Sequence, residues 1–155
     1  MRILHLINSL TTGGAEKLLL ESTPIYNQKE KTDLLVLNGT RHPFFKKLEE
    51  QNCCNIFHFG NANVYNPLLI FKIIRYLREY DIIHAHLFPS LYWLAIAKAI
   101  SFSNTKIVYT EHNTSNRRRS KLIFKILDKI IYRFYSKIIT IANEVDSNLK
   151  NHLGI

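Results

Sequence analysis

Three histidines and a pair of glycines are the residues of this 155-residue chain whose types and spacing could do chemistry. His84 and His86 stand two apart in Asp81-Ile82-Ile83-His84-Ala85-His86. That run reads as a buried strand, so both imidazoles point to the same face. His112 follows the next apolar run in Thr110-Glu111-His112-Asn113-Thr114, which puts it over the carboxyl end of the neighbouring strand. Three histidines meeting there would suit an open zinc site, but the spacing does not demand a metal and none is expected. A histidine at a strand end can donate to a ligand hydroxyl or to a phosphate oxygen. Glu111 then orients the loop or contacts the ligand. The plainer alternative is that His112 caps the following helix. His5, in the middle of the first strand, reads as core.

The glycines lie in Asn8-Ser9-Leu10-Thr11-Thr12-Gly13-Gly14-Ala15-Glu16-Lys17, directly after the first apolar run. Gly13 and Gly14 at a helix start let a ligand approach the backbone, and the free amides and dipole of the first turn favour a phosphate. The alternative is a tight turn and nothing more. A dinucleotide fingerprint would need G-x-G-x-x-G and an acid closing strand two, whereas that strand ends Leu37-Asn38-Gly39. A Walker loop would need Gly-Lys-Ser/Thr, and the chain has none after these glycines. Nicotinamide dehydrogenases and P-loop nucleotidases are therefore set aside.

These groups need a scaffold, and the hydrophobic period supplies one. Short Ile-, Leu- and Val-rich runs at Arg2–Ile7, Thr32–Asn38, Asn55–Phe59, Asp81–His86, Lys106–Thr110 and Lys137–Ala142 read as strands covered on both faces. Helical stretches separate them. Ala15, Leu18, Leu19, Ser22, Ile25 and Tyr26 fall on one helical face. Pro43–Gln51 and Pro67–Tyr80 open on a good first helical residue. Pro89–Ile100, Ser120–Tyr135 and Asn143–Asn151 follow. Strand–helix alternation predicts an α/β fold, a Rossmann-like doubly wound parallel sheet with helices on both faces and ligands at the carboxyl ends of the strands.

The length suits one domain, residues 1–155, able to bury roughly 68–70% of its unfolded surface. With 46% hydrophobic residues, 5 Gly and 4 Pro, disorder and low complexity are excluded. Cys53 and Cys54 are adjacent and too few for a disulfide framework, which favours a reducing, cytoplasmic setting. The longest uncharged stretch, Ile82 to Ala97, is too short and too polar to span a bilayer. Ile3–Ile7 is too short for a secretory signal.

Of the net charge of +9, +7 lies between Ser115 and Lys137. Arg117, Arg118, Arg119, Lys121, Lys125, Lys129, Arg133 and Lys137 face one acid there, Asp128. A local cationic patch attracts phosphates of nucleic acid, lipid headgroups or a ligand. On the helix at Ser120–Tyr135 the cationic row lies opposite Leu122, Ile123, Ile126, Leu127, Ile130, Ile131 and Phe134. That is either a solvated face with its apolar side in the core or a surface for an anionic membrane.

Taken together, Ile3-Leu4-His5-Leu6-Ile7, Gly13-Gly14-Ala15-Glu16, Asp81-Ile82-Ile83-His84-Ala85-His86, Thr110-Glu111-His112-Asn113 and Ile138-Ile139-Thr140-Ile141-Ala142 resemble the N-terminal domain of the family-four retaining glycosyltransferases of GT-B fold. The resemblance runs from residue 2 to the end of the chain. It implies two Rossmann-like domains with the active site between them. The N-terminal one is the acceptor side, and the C-terminal one holds a nucleotide-diphosphate sugar. It implies Gly13 and Gly14 near the donor diphosphate. His112 is implied beside the donor sugar and the reacting centre as a positioning and electrostatic residue. His84, His86, Glu111 and Asn113 are expected at the acceptor or sugar. No cofactor or metal is expected. The paired acids of the family's C-terminal domain are not in this chain, so catalysis by these residues alone is not expected. Arg117, Arg118, Arg119, Lys121, Lys125 and Lys129 would rest on an anionic membrane, or meet acceptor phosphate. Glycan or glycolipid synthesis is the expected setting, at the cytoplasmic face of a membrane. Two other readings stay open: a non-enzymatic binder of nucleic acid or anionic membrane through residues 115–137, and a sugar-nucleotide epimerase of the same architecture. Aromatics are not interleaved with the basic residues, so nucleic acid is not the expected partner.

Overall fold

A computed structural model describes residues 1–114 and 117–155, the side chains of Arg117 and Arg118 excepted. Six strands alternate with six helices: β1 Arg2–Ile7, α1 Gly14–Asn27, β2 Lys31–Val36, α2 Pro43–Gln51, β3 Ile56–His58, α3 Leu69–Ile74, β4 Ile82–His86, α4 Ser90–Ser101, β5 Lys106–Glu111, α5 Leu122–Tyr132, β6 Lys137–Thr140 and α6 Asn143–Leu153. The strands make one parallel sheet in the order β3-β2-β1-β4-β5-β6. The direction of winding therefore reverses between β1 and β4, and the crevice above their carboxyl ends is where such sheets bind ligands.

Alternate residues of the strands feed two cores, one on each face. Leu4, Leu6, Ile83, Ala85, Ile107 and Tyr109 join the larger cluster, with α3, α4, α5 and α6. Ile7, Leu34 and Val36 join the smaller one, with α1 and α2. His5 pairs with His84 in the β1–β4 register, and His84 and His86 lie opposite Val108 and Thr110 of β5. Three imidazoles thus share the α1 side of the sheet, and His5 stacks on Tyr26 of α1 at 5.9 Å between ring centroids.

Two expected helix faces are rotated. α1 buries Ala15, Glu16, Leu19, Leu20 and Thr23, while Leu18, Ile25 and Tyr26 are exposed. The buried stripe keeps helical spacing but includes two polar residues, which hydropathy does not register. α5 buries Asp128, Ile131 and Tyr132 and turns Leu122, Ile123, Ile126, Leu127 and Ile130 outward, Leu122 to 73% exposure. The reading of its apolar side as core fails for these five residues. The α5 interior is polar at its centre: Asp128 accepts a hydrogen bond from Tyr92 at 2.5 Å and faces the His152 imidazole of α6 at 2.8 Å. That anchor decides which side of the helix faces the sheet. The expected helix at Pro67–Tyr80 is shorter, α3 being followed by a 3-10 turn at Tyr76–Arg78.

Candidate functional site

The loops after β1 and β4 are tied together across the switch point. Asn8 donates to the Phe88 carbonyl at 2.7 Å and accepts from the Ser90 hydroxyl at 2.6 Å. Leu87, the first residue after β4, has φ +65°. A leucine in the left-handed region is strained, and it lines the cavity that opens here.

This cavity of about 380 Å³ is bounded by Gly14, Ala15, Glu16, Leu18, Leu87, His112, Asn113 and Ile141. The volume is within the range for small-molecule sites. The diglycine bend and His112 therefore share one cleft. The two glycines differ. A Cβ on Gly13 would run into the Glu16 carboxylate, while among the described residues nothing lies within 4 Å of a Cβ on Gly14. Gly14 is the open approach to the helix start; Gly13 sits behind Glu16. The Glu16 side chain is buried, accepts from the Thr11 hydroxyl at 2.9 Å and lines the cleft. Its charge competes with any phosphate at these amides. Sequence reading did not single out Glu16. Its position three residues into a helix begun by glycine was the available signal, since a glutamate there can turn back toward the helix start.

Around His112 the expected residues divide. Asn113 lines the cavity. Glu111 does not: its side chain is 2% exposed and paired with Arg119, itself 9% exposed. One Glu111 oxygen also accepts from the Tyr132 hydroxyl at 2.9 Å, and the other from the Asn113 backbone N–H at 3.2 Å. Glu111 therefore orients the His112 loop and does not face a sugar. Arg119 is withdrawn from the anionic surface for the same reason, because a buried guanidinium balances Glu111. The Arg117 and Arg118 side chains lie outside the described residues. Lys121, Lys125 and Lys129 are exposed, as expected of a surface row.

His86 is buried, and both of its nitrogens meet other imidazoles: Nδ1 to His112 Nε2 at 3.1 Å, and Nε2 to His5 Nδ1 at 3.0 Å. It reaches the cleft only through His112. His84 is partly buried with Nε2 on the Thr110 hydroxyl at 2.7 Å. The tightest trio is His5, His84 and His86, ligand atoms within 4.8 Å of one another, and not the trio with His112 considered from the spacing. His5 is core, as expected, but it is also the inner partner of His86. Burial, then the neighbouring imidazole of His84, pushes His5 down to about 3. Burial, then His112, pushes His84 down to about 4. His86 falls well below the ordinary range, again chiefly through burial. His112 is lowered by burial against the opposing pull of Glu111 and Glu16. At neutral pH the cleft thus holds uncharged imidazole beside carboxylate.

Residues 29–155 match the model of a family described as Glycosyltransferase Family 4. In fold the chain is similar to HepE (Alr3699) of Anabaena in complex with UDP and glucose, with a TM-score of 0.76 at 24% identity, over 98% of this chain and 41% of that one. HepE in complex with UDP-glucose gives a TM-score of 0.76 at 24% identity, over 98% and 40%. The apo form of the lipopolysaccharide outer core galactosyltransferase WaaB gives 0.69 at 13% identity, over 100% and 43%. This chain therefore spans about two fifths of each of those structures. No curated protein sequence matches it.

Proposed function

This chain belongs to glycosyltransferase family 4, and from that premise we propose that it is the acceptor-side, N-terminal half of a GT-B enzyme that transfers a sugar with retention from a nucleotide-diphosphate sugar to a glycan or lipid-linked acceptor. The observation that carries the reading is the shared cavity: Gly14 at a helix N-terminus and His112 from β5 face one space at the switch point. The solved relatives support it, because HepE binds UDP and UDP-glucose. The donor-binding half is proposed to come from a second domain that these 155 residues do not contain, as their coverage of two fifths of the relatives suggests.

In this reading the acceptor oxygen attacks the anomeric carbon on the face from which the diphosphate departs. A diphosphate oxygen takes the acceptor's proton as the sugar–phosphate bond breaks. His112 holds the donor sugar by a hydrogen bond, and Asn113 and Glu16 line the acceptor side. Gly14 rather than Gly13 meets the diphosphate, because Glu16 screens Gly13. No metal or cofactor is assigned a role. His112→Ala in the two-domain enzyme is expected to lower turnover about 10- to 100-fold, the worth of one well-placed hydrogen bond to a polar ligand group. Sugar transfer measured with a panel of UDP-sugars and a circular-dichroism spectrum of the variant check this. Unchanged turnover in a folded variant would overturn the role.

The α5 surface supports a second part of the proposal, that the domain rests on an anionic membrane. Lys121, Lys125 and Lys129 are exposed beside Leu122, Ile123 and Ile126, so cations and apolar side chains share one outer surface. Such a surface suits a bilayer interface better than a nucleic-acid backbone. No helix among the described residues is long and apolar enough to cross a membrane. At about 1 kcal/mol per cation near anionic lipid, each Lys→Gln in this row is expected to weaken binding about fivefold. Co-sedimentation with phosphatidylserine-containing vesicles and with purely zwitterionic ones measures it. Equal binding to both vesicle types would refute the contact.

A further inference from the structure

Among the described residues, the buried imidazoles behind His112 form a polar cluster that the function above leaves without a use. We propose that His112, His86 and His5 form an ordered chain of neutral rings that presents the Nδ1–H of His112 to the cavity as a fixed hydrogen-bond donor, with His86 and His5 as positioning residues. This deepens the functional reading and rests on it for the identity of the oxygen that His112 meets. The chain itself rests on geometry alone.

The argument is one of proton counting. A neutral imidazole has one N–H and one bare nitrogen. The contacts run His112 Nε2 to His86 Nδ1, then His86 Nε2 to His5 Nδ1. Each contact needs one N–H and one lone pair. If His112 bears its proton on Nδ1, its Nε2 must accept from His86 Nδ1–H. The bare His86 Nε2 must then accept from His5 Nδ1–H. The opposite choice places all three protons on Nε2. Any mixture sets two hydrogens or two lone pairs against each other in a buried site, so the three rings share one tautomer.

The acid in the cleft decides which tautomer. Nε2 of His112 is the nitrogen turned to His86, and Glu16 lines the cavity that His112 faces. The Glu16 carboxylate draws the proton-bearing nitrogen to the cleft end of the chain. That selects Nδ1–H throughout, so His112 grips an oxygen and does not accept a proton from one. His84 lies against the chain, its ring 4.3 Å from that of His86, but its Nε2 is on Thr110, outside the series.

Ring ¹⁵N shifts of the labelled chain at neutral pH test the proposal without any assay of activity. The expected result is a single tautomer, protonated at Nδ1, for His5, His86 and His112. His86→Phe is expected to leave His112 as a mixture of tautomers. His84→Gln is expected to leave it unchanged, which a general loosening of the core would not do. The proposal is overturned if any of the three rings carries its proton on Nε2, or if His112 is indifferent to His86→Phe in a folded variant. It is also overturned if one equivalent of Zn²⁺ shifts His5, His84 and His86 together, since the cluster would then be a metal site. Should His86→Phe fail to fold, the tautomers of the unaltered chain decide alone. Loss of the sugar-transfer reading with the tautomers as stated would discard the function and keep the chain of rings.

Discussion

Glu111→Ala is expected to destabilise the chain by about 3–5 kcal/mol, the usual effect of removing one partner of a buried ion pair. The carboxylate is engaged by three groups: the Arg119 guanidinium, the Tyr132 hydroxyl and the Asn113 N–H. Removal leaves the buried guanidinium without its counter-charge. Glu111→Gln keeps the acceptor oxygen and is expected to be milder. Urea unfolding of both variants checks the order and the size of the effect. A loss below about 1 kcal/mol for the alanine variant, the range of a surface pair, would mean that the network does not hold the loop. Amide exchange at Asn113 should quicken in both, because its N–H ends on the same carboxylate.

Mild acid is expected to destabilise this chain through its buried imidazoles. His5 and His84 take up protons in the folded state only at about 3 and about 4. In the unfolded chain they do so below about 6.5. Between these limits the unfolded state binds more protons, so stability falls as pH falls. It is present in full above about 6.5 and lost progressively toward about 4. At pH 5 each ring contributes a loss of about 2 kcal/mol, and the two together about 4 kcal/mol. That is a large share of an ordinary domain's stability. Urea midpoints at pH 7.5 and pH 5 measure it. Equal midpoints would mean that the imidazoles are charged in the folded state, or reach water.

The periodic features of this fold were legible because they are local. Six apolar runs became six strands, with ends moved by a residue or two. The parallel sheet followed from strand–helix alternation, and the switch point brought Gly14 and His112 to one cavity as expected. What was not legible depends on partners far away in the chain. His5 read as core because nothing local announces His86, 81 residues on, as its neighbour. Arg119 read as surface because its charge is visible in sequence and its burial against Glu111 is not. The inward faces of α1 and α5 were missed for one reason. Glu16, Thr23 and Asp128 are polar, and hydropathy assigns such residues to solvent although the fold buries all three.

α5 has two sides with separate employment. Outside, it offers oily and cationic groups to whatever it lies against; inside, the Tyr132 hydroxyl holds the carboxylate that fixes Asn113, next to His112. The helix cannot tilt or slide on the sheet without breaking that bond or dragging the loop with it. In the proposed reading a load on the outer face of α5 is therefore felt at the loop that carries His112.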